Sequence, residues 1–350
     1  MNSKHTTRLP QVKKLRIGIV GAGGIVRQRH LPGLLALPNV QVVAVCNSRV
    51  ETARSIAKEF HISEVMDDWA EMLDRPDLDI IWIGTPPVLH APITISALEA
   101  GKHVFCQARM AMNLSEGREM LAAAQARPQL VTMLCPPPHG MRGGKFFQKL
   151  LRDGYAGELW HFRLVADSGV FSDPLAPAHW RQRTELSGHN VLTVGIYAEV
   201  LQRWLGSPRR LHAQMKVSVP KREGYVVHIP DVVQVFGQWP HGLAGSLEWS
   251  GVAQFPPDET LTIYGRDGTL VYNFTKDEIL GARRGEKKLR PLEIPPELET
   301  AWTVEKDFID AVVHGGHPEP SFETGVQYLE FTEAVNLSAR GGHAVELPLP

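Results

Sequence analysis

The sequence predicts an α/β chain in two parts: an N-terminal doubly wound parallel sheet over residues 1–136, and a C-terminal α+β part over 137–350 with a large open, mostly antiparallel sheet. Three observations predict it. Through the first 135 residues, short apolar runs rich in Val and Ile alternate with helical stretches, and the runs lack the in-out alternation of half-exposed strands, as strands covered on both faces require. At Pro136 the texture changes to the breaker-rich stretch PPPHGMRGG, after which strand-like segments succeed one another through tight turns. A length of 350 residues suits about two domains of ordinary size.

In chain order, the apolar runs are Leu15–Val20, Val40–Cys46, Asp79–Gly84, His103–Cys106 and Leu130–Cys135. Between them, Ala53, Ile56, Ala57 and Phe60 recur at helical spacing, and Asn113 with Glu116 forms a capping-box signature for a helix running towards Ala124. Past the link comes a helix over Lys145–Arg152, then strand segments at Glu158–Ala166, Leu211–Val219, Val226–Trp239, Leu243–Gly251, Glu259–Tyr264 and Thr269–Phe274. A helix at about Val191–Leu205 interrupts the strands, and helices near Val304–Val313 and Phe322–Ala339 close the chain. Apolar positions such as Val217, Val219, Val233, Val235, Leu247 and Trp249 give the second sheet one face to bury, and the helices suffice for one face. The other face is therefore expected to form a homodimer or homotetramer interface.

Composition narrows the function. Charge is balanced, 37 Lys and Arg against 38 Asp and Glu, which argues against a surface that tracks nucleic acid or an anionic membrane and leaves a small molecule as the expected partner. No apolar run approaches the roughly 18 residues of a membrane span. The basic opening residues precede an apolar stretch too short for a signal peptide, so the first dozen read as a disordered lead-in. Cys46, Cys106 and Cys135 are few, odd in number and each end an apolar run, which suggests reduced core cysteines of a cytoplasmic protein, with a redox or nucleophilic cysteine the alternative; no zinc spacing is present.

The first strand runs directly into Gly21, Gly23, Gly24, Ile25 and Val26, with a helix-like stretch after them. A tight glycine turn lets backbone approach a pyrophosphate, and the new helix presents free N–H groups and its positive end. This is the arrangement of a Rossmann-type dinucleotide domain. At the end of the second strand, where an NAD enzyme carries an acid for the ribose, stand Asn47, Ser48 and Arg49. Without the carboxylate a 2′-phosphate is not repelled, and Arg49 can bond it, so NADP is favoured over NAD as cofactor. Thr85, Pro86 and His90 follow the third run at the ligand-bearing end of the sheet; His90 either faces the ligand or caps the next helix.

Longer motifs resemble the Gfo/Idh/MocA oxidoreductase family along nearly the whole chain: GIVGAGGIVRQRHLPGL, GTPPVLHAPITISALEAGKHVFC, DGYAGELW at 153–160, GIYAEVLQRWLG at 195–206, IYGRDGTL at 263–270 and EFTEAVNLSARGGHAVELP at 330–348. The resemblance implies a sugar or cyclitol dehydrogenase with a dinucleotide domain and a substrate domain. It also implies a Glu-Lys-Pro motif whose lysine polarises the reacting oxygen; this chain has Gln107, Ala108 and Arg109 there. In the family's second motif the turn is Ser187, Gly188, His189, Asn190. Thr193 stands at the aspartate position, Gly195 is kept, and Tyr197 replaces the histidine that acts as general base, a variant found in some branches of the family.

Hydride transfer from an alcohol needs a proton acceptor and a positive or donating group near the oxygen. Tyr197 suits the first role if a cation lowers its pKa from about 10; Arg109 is the nearest cation in sequence, pointing either at the substrate or away. His189 and His179 are further acid-base candidates. His139, Arg142, Trp180, Arg181, Asn190 and Thr193 are candidate substrate contacts, suited to a polyhydroxylated or carboxylated molecule with Trp180 stacked on a sugar face, and Gln107 is a candidate cofactor contact. No metal site is expected. Two other classes stay open: a redox-neutral lyase, epimerase or glycosidase-like enzyme that retains the dinucleotide, and a non-catalytic sensor or scaffold.

Overall fold

The apolar runs of the first half assemble into one parallel sheet because each is short, β-branched and flanked by a helix long enough to cross back over it. The computed structural model describes residues 14–137 and 141–350; the expected lead-in and His139 lie outside them. Strands β1 (Leu15–Val20), β2 (Val40–Cys46), β3 (Glu64–Met66), β4 (Ile80–Ile83), β5 (His103–Cys106) and β6 (Thr132–Leu134) pair in the order β3-β2-β1-β4-β5-β6, all parallel. The reversal of direction at β1 and β4 is the switch point at which such sheets bind ligands. Strand β3 escapes a reading of apolar runs because it is three residues at the sheet edge, none of them buried.

Helices α1 (Leu31–Leu35), α2 (Val50–Phe60), α3 (Trp69–Leu73), α4 (His90–Glu99) and α5 (Leu114–Gln125) cover this sheet. The capping signature is real: Asn113 Oδ1 accepts from the Glu116 amide at 2.9 Å, while the Glu116 carboxylate reaches one residue further back, to the Met112 amide at 3.1 Å.

The second half begins with α6 (Gly144–Arg152) and β7 (Leu159–Asp167), followed by α7 (Thr184–Ser187) and α8 (Val194–Leu205). Then come β8 (Arg210–Lys216), the small hairpin β9 (Lys221–Arg222) and β10 (Tyr225–Val226), β11 (Val232–Gln238), β12 (Ala244–Ser250), β13 (Thr260–Gly265), β14 (Gly268–Asn273), β15 (Glu278–Arg283) and β16 (Arg290–Pro291). Helices α9 (Val304–His314) and α10 (Phe322–Gly341) and strand β17 (Val345–Glu346) end the chain. The sheet order is β16-β15-β14-β13-β7-β12-β11-β8-β17, antiparallel throughout except for the pair β7 and β12.

Alternation sorts this sheet's faces. Phe162, Leu164, Val233, Val235, Leu247 and Trp249 share one core with Phe147 of α6, Leu201 of α8 and Phe331 of α10. The intervening positions carry Arg163, Gln234, Phe236 and Glu248; Phe236 is 63% exposed, so the opposite face is uncovered by the described residues.

Helix α9 returns to the first sheet. Phe308 meets the edges of Trp82 and Phe105, themselves stacked at 3.7 Å, and Val304 and Ile309 join the same cluster, so the last third of the chain closes the core of the first. Burying one such phenyl contributes about 2 kcal/mol. Among the described residues no helix is long and apolar enough to cross a membrane.

Candidate active site

The glycine turn is shaped by two backbones that nearly touch. Gly21 has φ +89°, and a Cβ there would lie 2.5 Å from the Thr85 amide nitrogen; a Cβ on Gly84 would lie 2.3 Å from the Gly21 carbonyl oxygen and 2.4 Å from Val26 Cγ2. Gly84 thus leaves the room that Val26 occupies. Val26–His30 winds as one wide π-type turn before α1. On the outer side the turn is open: a Cβ on Gly23 or Gly24 meets nothing within 4 Å, and next to Gly21 the buried Thr85 hydroxyl has no partner. An open backbone cradle at a helix start, with an unsatisfied hydroxyl beside it, fits a dinucleotide's pyrophosphate.

Asn47 serves the turn. Its Oδ1 accepts from the Ala22 amide at 2.7 Å and its Nδ2 donates to Thr52 Oγ1 at 3.0 Å, so the amide side chain braces the loop from the end of β2. Ser48 and Arg49 are exposed beside it, and no carboxylate occupies these three positions.

His90 is a brace too, neither aimed at a ligand nor capping α4. It is fully buried, with Nε2 at 2.8 Å from the Thr85 carbonyl and Nδ1 at 2.9 Å from that of Arg109, and burial pushes its pKa down. It ties the loop after β4 to the loop after β5.

Gln107 turns inward. Its Nε2 lies 2.5 Å from His30 Nε2, and His30 Nδ1 lies 2.5 Å from Glu305, which also accepts from the Trp302 indole at 3.1 Å. Gly33 admits this carboxyl, which a Cβ there would approach to 2.8 Å. The expected cofactor contact of Gln107 is therefore replaced, for its amide nitrogen, by a bond into a buried network. The sequence reading missed His30, Trp302 and Glu305; the one local signal was His30 itself, four residues beyond Val26 on the apolar side of the helix start.

The peptide between Ala108 and Arg109 is cis. The Arg109 side chain is 7% exposed, with Cδ beside Gly195 at the start of α8; its Nε is buried without a partner. Burial and the charge of Arg181 bring its pKa down to about 10.

On the opposite side, a buried guanidinium organises the loop after β7. Arg222 donates to the carbonyls of Phe171, Asp173 and Ala176, fixing the segment that leads to His179, Trp180 and Arg181. His179 Nδ1 accepts from the Arg181 amide, and the Arg181 guanidinium lies 4.1 Å from the Trp180 ring centre, so one face of the expected sugar platform is taken. Burial and Arg181 push the His179 pKa down.

The turn at Gly188 packs on the segment after Arg109. Its φ is +62°, and a Cβ would strike the Met112 carbonyl at 2.3 Å. The His189 amide donates to that carbonyl, and buried Asn190 donates to the Ala111 and Ser187 carbonyls, an internal task where a substrate contact was expected. The His189 ring meets Glu333 at 2.7 Å and remains partly exposed, and this bond holds the Glu333 carboxyl below its ordinary range. His189 stands outside α8, which begins only at Val194; Thr193 sits at the cap position without a capping bond.

Tyr197 departs from expectation. It is fully enclosed and donates to the Glu259 carboxylate, and burial with that negative charge pushes its pKa up, where a neighbouring cation was expected to lower it. Arg142 also lies elsewhere, paired with Glu299 at 3.2 Å on the link. A cleft of about 510 Å³ between β6, α6, α8 and residues 300–304 is lined by none of the expected site residues among the described ones. Cys46, Cys106 and Cys135 are free and buried, their thiols pushed up by burial, Cys46 to about 11. Among the described residues, no three His, Cys, Asp or Glu side chains are grouped so as to hold a metal.

Two family models match the chain: one described as an oxidoreductase family with an NAD-binding Rossmann fold, over residues 15–134, and one as the GFO/IDH/MocA C-terminal domain, over 146–271. Levoglucosan dehydrogenase of Pseudarthrobacter phenanthrenivorans is 26% identical over 96% of this chain and 99% of its own. 1,5-Anhydro-D-fructose reductase of Ensifer adhaerens is 27% identical, covering 95% of this chain and 98% of its own. A solved structure of levoglucosan dehydrogenase with NADH and levoglucosan superposes with a TM-score of 0.86 over 96% of this chain and all of that one, at 23% identity.

Proposed function

Because this chain belongs to the Gfo/Idh/MocA oxidoreductase family, we propose that it is an NAD(P)-dependent oxidoreductase that moves a hydride between the cofactor and a hydroxyl-bearing carbon of a sugar, cyclitol or sugar-acid-like substrate. The observation that carries the reading is the cradle at Gly21, Gly23 and Gly24, open outward and closed inward against Gly84 and Thr85. The bound nicotinamide supplies the hydride chemistry. The protein's own part is to hold the dinucleotide on the turn, to orient the substrate and to manage one proton. The sugar substrates named for the relatives at 26–27% identity support the substrate class. The test is a panel of sugars, cyclitols and sugar acids offered with NAD or NADP and followed by cofactor absorbance together with product; no reduction or oxidation across the panel, with dinucleotide bound, would favour a sensor.

In this reading Gln107, Ala108 and Arg109 stand where the family has Glu-Lys-Pro, so no lysine polarises the reacting oxygen. Proton handling then falls to Tyr197 with Glu259. The phenol is enclosed, so the partly exposed Glu259 carboxylate is the group that can meet the substrate and take its proton, held for this by the hydrogen bond that the neutral tyrosine donates. His189 with Glu333 is the competing pair, favoured by its partly exposed ring.

The end of β2 favours NADP over NAD, because Asn47 is uncharged and Arg49 is exposed beside it. Replacing Arg49 by Ala should weaken NADP(H) binding about tenfold and leave NAD(H) within about twofold, measured by calorimetry; equal losses for both would remove Arg49 from phosphate recognition. The uncovered face of the second sheet supports assembly into a dimer or tetramer. Light scattering at micromolar concentration should report more than one chain, and a monomer would refute this.

A further inference from the structure

We propose that the substrate carries a carboxylate, and that Arg109, Arg181 and the N-terminal turn of α8 form its receptor. The proposal deepens the oxidoreductase reading and rests on it for the cofactor's position. Arg109 is the central observation. Its side chain is 7% exposed, its Nε is buried with no acceptor, and among the described residues none of its nitrogens meets a carboxylate. A guanidinium does not escape burial by losing its proton, so an unpaired one at such depth is among the most unfavourable groups a fold can hold. Proteins keep such a group where a ligand completes it.

The surroundings add positive potential and no compensation. Arg181, an exposed residue on the loop that Arg222 pins, lies over the Trp180 ring, and no carboxylate pairs with it among the described residues. Gly195, next to Arg109 Cδ, lies in the first turn of α8, where Thr193 makes no capping bond and no acidic residue occurs. The positive end of that helix therefore lies beside Arg109. Burial first, and then the charge of Arg181, lower the pKa of Arg109, and no carboxylate offsets them.

This receptor is not the cofactor's phosphate site. Arg109 follows β5, two strands from the glycine turn after β1, which at about 4.8 Å per strand is roughly 10 Å away, on the side opposite β2. A carboxylate is the matching anion because one edge of a guanidinium presents two coplanar N–H groups to two coplanar oxygens. A phosphate ester is the alternative that the test separates.

The experiment titrates the protein, with and without NADH, with matched ligands: D-glucuronate against D-glucose, D-gluconate against D-glucitol, and glucose 6-phosphate. The acids are expected to bind about 10- to 100-fold more tightly than their neutral partners and more tightly than the phosphate ester. Arg181→Met should cut that preference to within about threefold while leaving NADH affinity unchanged. Arg109→Met should abolish it and also raise the melting temperature of the ligand-free protein, because it removes an uncompensated buried charge; a merely structural arginine would lower it. Equal binding of acids and neutral sugars, tighter binding of the phosphate ester, a lowered melting temperature in Arg109→Met, or an acid preference that survives both substitutions would each overturn the proposal. Acid preference without hydride transfer leaves the receptor standing and sinks the oxidoreductase reading; hydride transfer from neutral sugars without acid preference does the reverse.

Discussion

Replacing Tyr197 by Phe is expected to lower turnover about 10²- to 10⁴-fold while leaving dinucleotide affinity within about twofold, the signature of a disabled acid-base pair. Only the hydroxyl group is removed, and it donates to the Glu259 carboxylate. His189→Ala in parallel should change turnover less than about tenfold; the opposite ranking would transfer the proton to the His189 and Glu333 pair. Burial and Glu259 raise the Tyr197 pKa above its ordinary value, so the phenol stays protonated through neutral pH. The pH-rate profile should accordingly contain no tyrosine ionisation below about pH 10. A limb between about pH 7 and 9 that disappears in Tyr197→Phe would mean that a cation depresses the phenol, and the pairing with Glu259 would not be the working state. The same raised pKa favours the folded state below about pH 10, and that contribution declines as the pH rises further.

Gly21→Ala should cost both folding and binding. The new methyl group would stand 2.5 Å from the Thr85 nitrogen and 2.6 Å from the Gly84 carbon, both backbone atoms, in a residue at φ +89°. Neither strand can yield without opening the switch point, so a stability loss of about 2–4 kcal/mol and a fall in dinucleotide affinity of at least about 100-fold are expected. Gly23→Ala is the control that separates the two effects. Its methyl group meets nothing within 4 Å, so the melting temperature should hold while dinucleotide affinity falls. Unchanged affinity in Gly23→Ala, measured by calorimetry, would mean that the cofactor does not lie on this turn.

How much was legible in advance depends on whether a signal is local. β1, β2 and β5 lie where their apolar runs lie, and the Asn113 cap and the helices from Val304 and Phe322 begin where expected. The glycine turn was readable because its chemistry is contained in six consecutive residues. β3 and β15 were missed, the first because EVM is short and unburied and the second because EILGAR carries a glycine and an arginine within a six-residue strand. The start of α8 was read too early because apolar residues continue upstream through Val191 and Leu192, whereas Leu192 adopts φ +42° and breaks the helical path.

By itself, the sequence determined the two-part architecture, the parallel sheet with its glycine turn, the uncharged end of β2 and the absence of a lysine at Ala108, since each follows from periodicity, a short motif or residue identity. Only the tertiary structure decided what the polar side chains do. His30 and Glu305 are 275 positions apart and meet in a buried pair; His90 and Asn190, both candidates for ligand contact, are consumed by backbone carbonyls; Tyr197 faces an anion instead of a cation. Above all, the Arg109 guanidinium meets no carboxylate among the described residues, and a missing partner is invisible in a sequence. Desolvation and pairing depend on everything that surrounds an atom, and those surroundings are assembled from segments that the chain brings together only when it folds.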